Sequence, residues 1–116
     1  MKPKTNVGRF AERELRGVDD QGQPEKIIIW IERRPGATWS VGRMVNPERR
    51  PNVEARESDY IFQGYELEDA LEAANEALED DVRVSEEIGV DERVRPFRRE
   101  EILEPLEKWF FGHAQR

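Results

Sequence analysis

The sequence predicts an α+β fold: a four-stranded antiparallel sheet (ββββ), then a long amphipathic helix and a short C-terminal helix packed on one face. Three observations carry this expectation. Lys26-Ile27-Ile28-Ile29-Trp30-Ile31-Glu32 holds five large apolar residues in a row, four of them β-branched. Such residues are stiff at χ1 in a helix but fit a pleated surface, and an unbroken apolar run marks a strand buried on both faces. Turn clusters, Asp19-Asp20-Gln21-Gly22-Gln23-Pro24 and Pro35-Gly36, lie on either side of this run, so the neighbouring strands are joined to it as hairpins. From Glu66 onward the apolar spacing changes to that of a helix.

Taken in order, residues 1–8 read as a disordered start. Arg9 to Val18 alternates charged and apolar side chains, which suits an exposed edge strand, where charge discourages pairing with other molecules. A short helix is the alternative for this stretch. The central strand follows, and then Thr38 to Val45, with Trp39, Val41, Arg43 and Val45 on one face and Thr38, Ser40, Gly42 and Met44 on the other. An odd-length loop between these strands groups Ile27, Ile29 and Ile31 with Trp39 and Val41 into one apolar face; an even loop groups Trp30 with Trp39. The odd loop is preferred for its coherent face, and it turns Trp30 to the opposite side, beside Ile28 and Ser40.

Asn46 to Ser58 has two prolines, two asparagines and three arginines and reads as a long loop. Asp59 to Tyr65 is aromatic and β-branched, a fourth strand. In Glu66 to Ile88, Leu67, Ala70, Leu71, Ala74, Leu78 and Val82 recur at helical spacing, with acids on the other side. Glu66, Glu68 and Asp69 complement the dipole at its start, Gly89 supplies a stop, and Asp80 to Ile88 is expected to fray or form a separate turn. After Pro96, amphipathic spacing resumes at Ile102, Leu103, Leu106, Trp109 and Phe110. Pro105 suits a first helical position, so one turn before it and a short helix after it, ending at Gly112, are expected. Trp109-Phe110-Phe111 would complete the core. Residues 9–112 thus form one domain, with 113–116 frayed.

Composition narrows the function classes. The 116 residues are 39% charged and 36% hydrophobic, room for one domain with one core. The absence of cysteine excludes disulfides, thiol nucleophiles and thiolate metal sites. No apolar run approaches the roughly 18 residues of a membrane span, and Met1-Lys2-Pro3-Lys4-Thr5 leads into no signal-peptide core. A cytoplasmic protein without membrane association is expected. Catalytic groups are scarce. The single histidine, His113, sits near the C-terminus, where fraying is expected. Ser40, Ser58 and Ser85 lie outside any nucleophile-elbow pattern, there is no phosphate-binding glycine loop, and the acids lack calcium-loop spacing. Neither enzymatic activity, nor a metal, nor a cofactor is expected.

The net charge of −7 is unevenly spread: residues 1–56 carry twelve Lys/Arg against eight Asp/Glu, whereas residues 57–116 carry seven against eighteen. Helices commonly carry Glu on their solvent face, but such a split also suggests a charged partner. Arg33, Arg34, Arg43, Arg49, Arg50 and Arg56 cluster in the second hairpin and the loop, with Trp30 and Trp39 interleaved. These eight residues are the candidate binding residues. A docking domain for a protein partner, or for a second copy through an Ile28/Trp30 face, is the leading expectation, because Arg and aromatic side chains anchor interfaces. Single-stranded nucleic acid is the alternative: arginines release counterions from phosphates and indoles stack on unpaired bases. The inferred element order resembles the repeat unit of the Whirly and transcriptional-coactivator families, which bind single-stranded DNA. That likeness is one of topology, without a shared motif.

Overall fold

The computed structural model describes residues 8–50, 55–86 and 95–104, with the backbone alone for 82–86. Four antiparallel strands, β1 (Gly8–Val18), β2 (Pro24–Arg34), β3 (Thr38–Val45) and β4 (Tyr60–Gly64), lie side by side in chain order. A long helix, α1 (Leu67–Glu86), follows, and a short helix, α2, covers residues 99–104. The α+β expectation therefore holds, with β2 in the interior of the sheet. The strand alternative for Arg9 to Val18 is the one adopted, and α1 continues without a break to Glu86. The segment after Pro105, with the Trp109-Phe110-Phe111 cluster and His113, lies outside the described residues, as does most of the N-terminal stretch.

Local chemistry explains the hairpins. Val18 pairs with Pro24, and the Asp19 carboxylate between them accepts the Gln21 and Gln23 amides at 2.9 and 2.8 Å, while Gly22 takes φ 77°. An aspartate that bonds the backbone two residues on is a turn former by its own side chain. Between β2 and β3, Arg34 pairs with Thr38, leaving Pro35, Gly36 and Ala37 as a three-residue loop. Gly36 and Ala37 both have positive φ, 88° and 61°, as the twist of a tight hairpin requires. The odd loop pairs Ile31 with Val41 and Ile29 with Arg43, so the preferred register is the observed one.

This register creates two faces. The inner face carries Ala11, Leu15, Ile29, Ile31, Trp39 and Val41, which join Ala70, Leu71, Ala74 and Leu78 of α1, Phe97 and Ile102 in a single buried cluster. Both helices cover this side. The small residues Ala70 and Ala74, fully buried, let α1 approach the sheet closely. Arg43 projects from β3 on the same face and donates twice, at 2.8 Å each, to the Asp81 carboxylate, fastening α1 to the sheet by a bidentate ion pair. The incoming chain before α2 is held by Asn75 of α1, whose amide donates to the Phe97 carbonyl at 3.1 Å and accepts the Phe97 amide at 2.7 Å.

Candidate interaction surface

The outer face is built around Trp30. Gly42 lies directly opposite it on β3, and a Cβ added there would come within 2.0 Å of the indole. The ring therefore lies flat on backbone that only glycine leaves open. Tyr60 meets it edge to face at 5.8 Å, and the Arg9 guanidinium covers it at 4.0 Å from the ring centroid. Glu32 ties the group together, accepting Trp30 Nε1–H at 3.1 Å and the Tyr60 hydroxyl at 3.0 Å. Burial, and next the bond to Glu32, raise the Tyr60 phenol above its usual value, so it stays a donor. Trp30 is consequently 0% exposed. Trp39, on the inner face, is 4% exposed, with Phe10 against its edge at 5.7 Å and the Arg33 guanidinium 4.9 Å from its ring.

These positions correct one expectation. Trp30 was to be displayed beside Ile28 on a face open to a second copy or to bases; it is instead sealed by Arg9, Tyr60 and Gly42. Neither indole offers a free π-face. The cause is contact between side chains far apart in sequence, which alternation within a strand does not reveal.

The arginines are placed as follows. Arg34 donates to Glu57 at 3.0 Å and stacks on Tyr60 at 4.7 Å, and that bond holds the Glu57 carboxyl below its ordinary range. Arg43 is taken by Asp81. Arg49 donates to the Pro24 carbonyl and lies 3.8 Å from Asp19. Arg50 pairs with Asp59 at 2.9 Å, both side chains largely buried. Burial alone would raise the Asp59 carboxyl, but the Arg56 amide at 2.7 Å and the Arg50 guanidinium outweigh it and leave it lowered. Arg33 covers Trp39, and the exposed Arg56 adds its charge to the attraction that lowers Asp59. The loop arginines thus close the molecule on itself: Lys26, paired with both Glu14 and Glu48, and Arg49 lash the Pro47–Arg49 turn to β2.

The sheet's two edges differ. β1 presents Arg9, Glu12, Glu14 and Arg16 as exposed charges, which discourage further pairing; each edge strand has one irregularity, at Phe10 in β1 and at Ile61 in β4. β4 ends the sheet on the other side. Tyr60-Ile61-Phe62-Gln63-Gly64-Tyr65 contains no charge and no proline. Ile61 is 48% and Tyr65 77% exposed. The sequence marked this stretch as an aromatic, β-branched fourth strand; its place at an edge was not legible there. No helix among the described residues is long and apolar enough to cross a membrane.

Comparison with known proteins leaves this geometry to speak for itself. No family model matches the chain, and searches of curated proteins and of solved structures each return no significant match. The resemblance to the Whirly and transcriptional-coactivator repeat therefore rests on element order alone.

Proposed function

We propose that the chain is a small, non-catalytic binding module that docks a partner protein along the outer edge of β4. The observation that carries this is the uncharged edge itself: six residues without charge, with Ile61 and Tyr65 exposed and no further strand beside β4 among the described residues, in a chain that is 39% charged. An open edge offers a row of backbone donors and acceptors, and an extended partner segment that adds to it gains main-chain hydrogen bonds along with side-chain contact. The charged β1 edge is the internal contrast. A cytoplasmic setting fits a cysteine-free chain and belongs to the same proposal. Single-stranded nucleic acid is less well supported, since both indoles are covered and most of the loop arginines have acidic partners.

The test is photo-crosslinking in the native cells with p-benzoylphenylalanine in place of Tyr65. A discrete adduct is expected that is protease-sensitive, nuclease-resistant, lost on Ile61→Lys, and absent when the probe replaces Arg16 on the β1 edge. An adduct destroyed by nuclease, or no adduct from position 65, would overturn the proposal. An adduct of twice the chain's mass would identify the partner as a second copy.

A further inference from the structure

We infer that the segment received by β4 is extended and cationic, with Lys or Arg side chains facing α1 alternating with apolar side chains beside Ile61 and Tyr65. This rests on the docking reading above and adds the partner's chemistry. The argument starts from the sidedness of α1. Asn75 holds Phe97, and Glu68 pairs with Arg99 at 3.0 Å, so this flank of the helix faces the chain that leads into α2 and packs toward β1 through Arg13 and Glu101. At about 100° per residue, the opposite flank, toward β4, carries Ala70, Ala73 and Ala77. Ala73 and Ala77 are half-buried against the core, as is Phe62 of β4. Glu66 lies on that flank, Asp69 stands above it and Glu76 marks the crest of the helix, all exposed.

A strand added beyond β4 directs every second side chain toward the helix layer. There it meets methyl groups at the base and carboxylates at the crest. A lysine or arginine fits both, since its aliphatic stem lies along apolar surface while its charged head reaches outward. An acidic side chain meets like charge, and a short apolar one leaves the carboxylates without a counter-charge. The remaining side chains fall beside Ile61 and Tyr65, where apolar or β-branched residues make the favourable cross-strand pairs. Charge also selects against a second copy as the occupant. Each chain carries −7, and edge-to-edge pairing of two β4 strands would set two acidic helices on the same face. Like-charge juxtaposition of that kind suppresses association.

The experiment uses the full chain and the fluorescein-labelled peptide acetyl-Lys-Val-Lys-Thr-Lys-Val-Lys-amide, titrated by anisotropy. Two controls replace every Lys with Glu, or the central Thr with Pro. The cationic peptide is expected to bind about tenfold or more tightly than either control, a difference of about 1.4 kcal/mol. Ile61→Lys should remove binding, and the triple change Glu66→Lys, Asp69→Lys, Glu76→Lys should weaken it about tenfold with an unchanged circular dichroism spectrum. Equal binding of the Glu peptide, undiminished binding of the Pro peptide, or no binding of the cationic peptide would overturn the inference. If the crosslink at position 65 still forms, docking at β4 stands: equal binding of the Glu peptide or no binding of the cationic one removes the cationic chemistry, and undiminished binding of the Pro peptide removes the extended pairing.

Discussion

At the scale of single residues, Gly42 and Trp30 show how a pair of positions decides a whole face. Trp30 is fully buried on the side of the sheet opposite α1 and α2 because Gly42 offers bare backbone for its ring. Gly42→Ala cannot be absorbed by a rotation of the alanine, and the indole must leave the strand that it lies on. Overpacking of this kind costs about 1–3 kcal/mol. The expected result is a urea midpoint lowered accordingly, with red-shifted tryptophan emission as Trp30 meets water; an unchanged midpoint would show that the outer face repacks freely. Ser40 is a second residue at this scale. Its hydroxyl is buried without a protein partner among the described residues, between the Trp30–Glu32 group and Gln63 across the strands.

Secondary-structure elements are joined by a few directed polar contacts laid over the apolar core. Asn75 is the clearest. It reproduces with one side chain the donor–acceptor pair of a strand neighbour and so docks the segment that begins at Arg95 onto α1. Phe97, 4% exposed, then packs beneath the Arg13 guanidinium, 4.5 Å from its ring. Asn75→Ala leaves the Phe97 amide and carbonyl without these partners, at about 1–3 kcal/mol for a buried unsatisfied group. Faster hydrogen exchange at residues 97–102 is expected, with the exchange of β2 little changed. Equal acceleration in both would mean that the sheet and the C-terminal segment open as one unit. Arg43 and Asp81 do the same between α1 and β3.

For the molecule as a whole, charge is managed by internal pairing. Asp59 and Glu101 both have carboxyls lowered below their ordinary values of 3.8 and 4.5. In each, burial pushes upward and is outweighed, by the Arg56 amide and Arg50 for Asp59 and by Arg13 and the Arg98 amide for Glu101. A lowered folded-state value means that the stabilisation is complete above the ordinary value and is lost as pH falls through the lowered one. Stability should therefore be flat from about pH 8 to pH 5 and should decline below about pH 4, followed by urea unfolding with tryptophan fluorescence. Asp59→Asn should reduce stability at neutral pH and make the acid decline shallower; an unchanged acid profile would place its cause elsewhere. Arg43–Asp81 and Arg13–Glu101 also join the basic half of the sequence to the acidic one.

The sequence by itself determined the element order and the central place of β2, and it favoured one of two hairpin registers. These depend on local properties: β-branching, turn residues and an alternation that makes a one-residue slip costly. It also marked the inward stripe of α1, which repeats every three to four residues. The tertiary structure alone decided that the helices lie over Ile29, Ile31 and Trp39, that Trp30 is sealed, and that most of the predicted arginine cluster is spent on internal partners. It alone placed the apolar strand β4 at an edge of the sheet. Each of those outcomes depends on contacts between residues far apart in the chain, such as Arg43 with Asp81 or Glu32 with Tyr60. Spacing along a sequence carries the period of an element, but not the identity of the side chain that arrives from another one.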